Sequence, residues 1–248
     1  MKKPLKTLII AVVAIAVVVV AVSFIYAKFW NKADDEFNTG DVKDLLTATT
    51  TVTPDAPVTT GGAAPETTVT PVAADGVEGN WAIAEGSEVG YRVDESINGF
   101  DTTANGRTQA ISGTFTIGAT SVTAGSFTVD MTTFKSDESR RDGQFNGRIM
   151  DVATFPTATF VLTAPIDFKQ VPTDGGTLPA TATGDLTLHG ITKSVTFEVE
   201  ATFLNGRVGV LGQIPVLFAD FGIPNPSVAT ITSKDNGLLE FVLAFDRA

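Results

Sequence analysis

The sequence predicts an all-β domain, an antiparallel sheet of about eight strands closed into a barrel with a short helical insert. One N-terminal transmembrane helix and a disordered stalk precede it. Three observations carry this. From residue 80 onward, successive segments alternate apolar residues with Thr, Ser and charged residues, the period-two pattern of strands. Turn signals separate them at Asp174-Gly175-Gly176, His189-Gly190, Asn205-Gly206 and Asn236-Gly237, and Asn-Gly between alternating runs is the strongest short hairpin signal. Hairpins in series make an up-and-down meander, and closing eight or nine strands removes the exposed edges.

The first unit is residues 1–32. Thr7 to Ala27 reads "TLIIAVVAIAVVVVAVSFIYA" and holds no charge. Spanning the hydrocarbon core of a bilayer takes about 20 apolar residues as a helix. Val and Ile are poor helix formers in water, but lipid forces backbone hydrogen bonds inward and overrides propensity. Tyr26, Phe29 and Trp30, with Lys28 and Lys32, supply interface residues. The competing reading is a signal peptide cleaved at Ala21-Val22-Ser23, but the apolar run continues past that site and is long for a signal core. Lys2, Lys3 and Lys6 precede the run, and Asp34, Asp35 and Glu36 follow it. The positive-inside bias therefore predicts a single-pass protein of the cell membrane, its N-terminus cytoplasmic and its C-terminal domain extracellular.

Residues 33–79 form the second unit. Most of it is Thr, Pro, Ala and Gly, as in "TATTTVTPDAPVTTGGAAPETTVTPVAADG". Such a chain buries too little apolar surface to offset its entropy, which predicts a disordered extracellular stalk. Thr beside Pro is also the composition of O-glycosylated stalks, and a plain spacer fits equally.

Residues 80–248 form the third unit, long enough for one domain with a core. Strand candidates are 87–95, 106–118, 121–131, 157–168, 180–190, 193–203, 206–218, 227–235 and 238–246. In 195–203, Phe197, Val199, Ala201 and Phe203 share one face, and Glu198, Glu200 and Thr202 the other. In 238–246, Leu239, Phe241, Leu243 and Phe245 face one way. The opposite face, Leu238, Glu240, Val242, Ala244 and Asp246, is also partly apolar. There are 17 Phe against two Tyr and two Trp, so the interior is apolar with few polar handles. A barrel of about eight strands has room for its own side chains or for one small ligand. Between the third and fourth candidates lies the non-alternating stretch "ESRRDGQFNGRIMDVATFPTATF", 138–160, a helix-like insert ended by Pro156.

Composition excludes several classes. With no cysteine there is no disulfide, thiol nucleophile or Cys-based metal site, and a lone histidine excludes a multi-His zinc site. A net charge of −11 argues against nucleic-acid binding. No Gly-x-Ser-x-Gly elbow is present, and Asp220-Phe221-Gly222 lacks every companion motif of a kinase. Glu198 and Glu200 lie on one solvated strand face rather than across a cleft.

Four stretches, in order, resemble the YceI-like family. They are "NWAIAEGSEVGYRVDE" (80–95); Arg141-Asp142, Phe145 and "FPTATF" within 136–160; "GDLTLHGITKSVTFEVEA" (184–201); and "DFGIPNPSVATITSKDNGLLEFVLAF" (220–245). The anchor and Thr-rich stalk look like the membrane-tethered branch of high-GC Gram-positive bacteria. The resemblance implies an extended lipocalin-like barrel that encloses a polyisoprenoid or similar amphiphilic chain. It places the insert at the barrel mouth, between the third and fourth strands. Family members often pair, which implies a possible homodimer. Many members carry His-Leu two positions after Arg-Asp, where this chain has Gln144-Phe145.

The expected function is thus a non-catalytic, membrane-anchored lipid-binding protein, with no cofactor beyond a bound isoprenoid lipid or quinone and no metal. Head-group candidates are Arg141, Asp142, Gln144 and His189. Apolar lining candidates are Phe160, Phe197, Phe203, Phe241 and Phe245. The competing readings are structural: an ion pair or cap at Arg141-Asp142, a turn histidine at 189, and a surface interaction barrel filled by its own phenyl rings. A cavity of several hundred Å³ separates the lipid reading from the last of these.

Overall fold

The computed structural model describes residues 3–25, 33–48, 77–170 and 173–248, and within the first helix the side chains from Val12 onward except Ser23. The elements are α1 (Lys3–Ile25), α2 (Thr39–Thr47), β1 (Gly79–Ile83), β2 (Glu88–Ile97), β3 (Phe100–Thr108), β4 (Ile111–Ile117), β5 (Ser121–Asp130), α3 (Ser139–Gln144), β6 (Thr157–Leu162), β7 (Ile166–Asp167), β8 (Thr177–Leu188), β9 (Ile191–Leu204), β10 (Arg207–Leu217), β11 (Ile231–Ser233) and β12 (Asn236–Arg247).

The strands close into an eight-stave antiparallel barrel. β1 and β2 lie end to end along β12, β1 facing its last residues (Trp81↔Arg247) and β2 its first (Leu238↔Arg92). β4 pairs with β1, and β3 with β2, so they too form one bent stave. The ring then runs β5, β6, β8, β9, β10 and back to β12. Of the expected turns, His189-Gly190 and Asn205-Gly206 connect hairpins, with positive φ at all four residues. Asn236-Gly237 does not turn. Both residues belong to β12, opposite Leu217 and Val216, and the chain reverses just before them.

The two ends differ. At the lower end Trp81 is fully buried, stacked on Phe115 at 6.3 Å and edge-on to Phe203 at 6.5 Å, with Phe115 edge-on to Phe245 at 4.4 Å. That plug seals the barrel. At the upper end the β2–β3 turn, the insert, the His189-Gly190 turn and the segment 218–235 surround an opening.

The stalk boundary needs correction. Residues 33–48 are not disordered: α2 packs on the outside of the barrel and buries Val42 and Leu46, with Phe37 before it. They cover Val242 and Ala244 of β12. Asn38 and Asp41 form a reciprocal cap at the start of α2. Gly209 of β10 makes the approach possible, since a Cβ there would sit 2.4 Å from Val42 Cγ1. The physical reason is a local exception to the composition: "FNTGDVKDLL" carries apolar residues at helical spacing, while the Thr/Pro repeat that follows does not. At the other end of the expected stalk Val77 is buried and Gly79 opens β1; residues 49–76 lie outside the described residues, as do the interface residues expected at 26–32.

Among the described residues no helix is long and apolar enough to cross a membrane. α1 has 23 residues, but its described side chains span only Val12–Ile25, fewer than the roughly 20 residues a bilayer requires.

Candidate functional site

The insert and the strands beneath it build the site. β5 ends in a tight turn at Met131–Thr133, whose N-cap is Asp130. The chain then crosses the barrel opening. The backbone of Lys135 pairs with Arg107, holding the insert against the end of β3. α3 is fastened by Asp142, whose Oδ1 accepts from the Ser136 amide at 2.9 Å and hydroxyl at 2.7 Å. Arg141 pairs with Asp137 and, at 3.7 Å, with Glu95 of β2. The π-helical turn Phe145–Ile149 then drives Phe145 inward, stacked on Tyr91 at 4.7 Å and beside Phe134 at 5.2 Å.

The opposite rim is tied to the insert through Arg148. It donates to Gln144 Oε1 at 3.0 Å and to the carbonyls of Asn225 and Pro226 at 3.2 and 2.7 Å. Asn225 in turn binds Asp235 at 2.7 Å and caps Ser227 at 2.8 Å. The family-like stretch 220–235 therefore forms a fixed arch across the mouth.

Beneath this frame is a cavity of about 460 Å³, with Tyr91, Met131, Phe134, Phe145, Met150 and Leu239 among its walls. Below it, inside the barrel, is a second cavity of about 190 Å³ lined by apolar groups such as Phe127, Phe160, Phe197, Phe241 and Phe245. Met131, Phe134, Leu188 and Leu239 border both. The two form a tapered apolar column from the mouth towards the Trp81 plug. The polar groups cluster at the top: Glu95, Glu138, Arg140, Arg141 and Gln144, while Arg92 borders the cavity with its guanidinium turned outward to Asp34 and Glu240. Burial holds the Tyr91 phenol above its ordinary value of 10.0, so it stays a neutral wall group with one O–H to offer.

The residues singled out from sequence divide. Arg141 and Gln144 border the mouth cavity, and Phe160, Phe197, Phe241 and Phe245 line the deep one. Phe160 and Phe197 meet edge-on at 5.5 Å, and Phe197 and Phe241 at 6.1 Å. Three fall elsewhere. Asp142 turns its carboxylate back to Ser136 and serves as a cap. His189 occupies a left-handed turn position (φ 50°), edge-on to Phe155 at 4.7 Å, with Nδ1 3.2 Å from the Phe221 carbonyl. Phe203 belongs to the lower plug against Trp81. Sequence reasoning missed Tyr91, Phe145 and Arg140. Tyr91 had a signal, since it alternates in phase with Val89 and Val93 on β2, both packed against the core. Arg140, exposed on the rim, had none.

A family model described as a YceI-like domain matches residues 81–245. A UPF0312 protein of Vibrio campbellii is 37% identical over 103 residues, 39% of this chain and 51% of that protein. A UPF0312 protein of Pseudomonas fluorescens is 38% identical over 133 residues, 48% of this chain and 64% of that protein. The chain thus spans between half and two thirds of the length of these relatives. Among solved structures, a polyisoprenoid binding domain from Saccharophagus degradans implicated in plant cell wall breakdown has a TM-score of 0.54 at 16% identity, over 69% of this chain and 99% of that one. Burkholderia cenocepacia BcnA has a TM-score of 0.50 at 22% identity, over 64% and 95% of the two chains. At these identities the structural likeness shows the fold alone.

Proposed function

This chain belongs to the YceI-like family, and from that premise we propose that it is a membrane-anchored, extracellular, non-catalytic carrier or store for a polyisoprenoid or isoprenoid-quinone chain. The observation that carries the reading is the tapered apolar column. The mouth cavity, about 460 Å³, is in the usual range for ligand pockets, and the deeper one continues it. Transfer of apolar ligand surface from water contributes about 25 cal/mol per Å², so a long hydrocarbon tail binds such a column without a strong polar anchor. The tail would descend past Phe134 and Leu239 towards Phe197 and Phe241. A polar head would remain at the rim, within reach of Arg140, Arg141, Gln144 and the Tyr91 hydroxyl. A barrel filled by its own phenyl rings is less well supported, because the aromatic plug stops at Trp81, Phe115 and Phe203.

Anchoring is supported by α1. Its uncharged part, residues 7–25, extends about 28 Å at 1.5 Å per residue, close to the roughly 30 Å of hydrocarbon. The sequence holds no charge from Thr7 to Ala27, and the described Val and Ile side chains of α1 are exposed. The test is mass spectrometry of an organic extract from the full-length protein purified out of its native membrane. Stoichiometric polyprenyl lipid or quinone is expected. Repeated preparations without such a lipid would overturn the carrier reading.

A further inference from the structure

We infer that the mouth of the barrel faces the bilayer in which α1 is anchored, with the segment 34–47 acting as a brace that sets this orientation. The inference rests on the anchor and carrier reading above.

The course of the chain argues it first. Among the described residues after α1, Asp34 is the first that a barrel side chain holds by hydrogen bonds. Its carbonyl accepts from Arg92 at 2.7 Å and its carboxylate from Asn105 at 3.0 Å. These partners lie directly opposite each other on β2 and β3, in the half that leads to the mouth, and Arg92 itself borders the mouth cavity. From there the segment descends. Phe37 lies under the Arg107 guanidinium at 4.0 Å, Thr39 donates to Glu200 at 3.0 Å, and the Leu45 carbonyl accepts from Arg207 at 3.1 Å, beside the Asn205-Gly206 turn at the plugged end. The chain therefore enters at the mouth and runs to the bottom. The Thr/Pro-rich segment 49–76 follows this contact in sequence, so it cannot act as a spacer between anchor and barrel.

Distance argues it second. Eight residues separate Ile25 from Asp34, so the nine steps between them reach about 30 Å even fully extended. Phe24, near the end of α1, is edge-on to Phe100 at 5.3 Å. Phe100 opens β3 opposite Ile97, at the mouth-end turn.

Surface chemistry argues it third. Four large hydrophobic residues of the barrel domain are markedly exposed among the described residues: Val161, Ile191, Leu217 and Val228. Three of them, Ile191, Leu217 and Val228, ring the mouth, and exposed Arg140, Arg148 and Lys193 stand near them. Exposed apolar side chains among cationic ones suit the interface of an anionic bilayer. A tail leaving the membrane would then enter the column without crossing water.

The chain has no cysteine, which makes a clean experiment. Full-length L217C and V228C at the rim, and N205C at the plugged end, each carry an environment-sensitive fluorophore. They are reconstituted into phosphatidylcholine–phosphatidylglycerol vesicles containing a nitroxide-headgroup lipid. Loss of most fluorescence at 217 and 228 with little loss at 205 is expected. Equal quenching at all three sites, quenching at 205 alone, or none at the rim overturns the inference. So does a full chain that fails to float with the vesicles. Rim labels already shielded in detergent, together with a doubled mass, would assign the rim to a second copy and also overturn it. Recovered isoprenoid with unquenched rim labels sinks the orientation alone. Quenched rim labels without recovered lipid sink the carrier role and leave the orientation standing.

Discussion

The two faces of β12 are both dry, and they are dry for different reasons. Inward, Leu239, Phe241, Leu243 and Phe245 border the column. Outward, Glu240, Val242 and Ala244 are as buried as any core residue, yet they lie on the outside of the barrel beneath Phe37 and α2. The outer face is packed solid and contains a charge. Glu240 is fully buried, 3.3 Å from Arg107 and 3.7 Å from Arg92, and it accepts from the Phe37 amide at 3.4 Å. The inner face is wholly apolar and leaves space. A chain able to fill one face of a strand to contact while hollowing the other is not short of side-chain volume, so the void is a property of the fold.

That contrast can be broken at several points. The largest effect on stability is expected outside. Glu240→Gln leaves Arg92 and Arg107 without their buried counter-charge, and loss of one partner of a buried ion pair costs about 3 kcal/mol. Denaturant unfolding of residues 33–248 with and without the substitution measures it. Glu36 lies 3.7 Å from Arg92 and Glu88 4.0 Å from Arg107, so a loss well below 1 kcal/mol would mean that these two neutralise the arginines by themselves.

Two glycines form a matched pair. Gly209→Ala drives a methyl into Val42 at 2.4 Å and Leu46 at 2.9 Å, and overpacking of this kind costs about 2 kcal/mol. α2 should lift, which amide exchange of Val42 and Leu46 would report. Gly125→Ala, on the wall of the deep cavity, meets nothing closer than 3.5 Å. It should be neutral or stabilising by about 0.5 kcal/mol, through the lower entropy of the unfolded chain. Equal losses from both would erase the distinction between a packed face and a hollow one.

Ala182→Leu sharpens the functional side. Ala182 is buried on the wall of the 190 Å³ cavity, so the added carbons enter existing space. Stability should change by less than about 1 kcal/mol, while lipid recovered from the purified protein falls sharply. Undiminished lipid would place the tail elsewhere.

The smallest effect concerns Glu88, beside the charge cluster. Burial raises its pKa above the ordinary 4.5, against the opposing pull of Arg107. A carboxyl whose folded pKa is raised favours the folded state when protonated, and that contribution is lost as pH rises through the folded value. Glu88→Gln should therefore be slightly stabilising at neutral pH. The gain should shrink as pH falls and vanish below about 4.5. Thermal melts of both proteins between pH 4 and 7 check the sign; a gain that grows on acidification would refute it.

Much of this architecture is legible along the chain. Alternation in 195–203 and 238–246 assigned the inward phenylalanines, because the side-chain period of a strand is two whatever it packs against. The insert stood out because its pattern broke that period. Asn236-Gly237 misled because a favourable turn pair is only a local preference, and ten residues of ladder with β10 outweigh it. His189 and Asp142 looked like ligand groups because residue type and motif position do not show where a side chain points. Their hydrogen bonds, to the Phe221 carbonyl and to Ser136, are set by neighbours that only the folded loop brings close. The partly apolar outer face of 238–246 was a visible sign that something covers it, but the cover lay some 200 residues away in a segment that composition assigned to a stalk.

The sequence by itself determined the closed antiparallel barrel, the uncharged N-terminal run and the apolar interior, since periodicity and composition act locally and survive any arrangement of the parts. Tertiary structure alone decided where the phenyl rings stop and the hollow begins, and that residues 34–47 fold back from mouth to plug. Both depend on distances between residues far apart in the chain, and no local pattern encodes them.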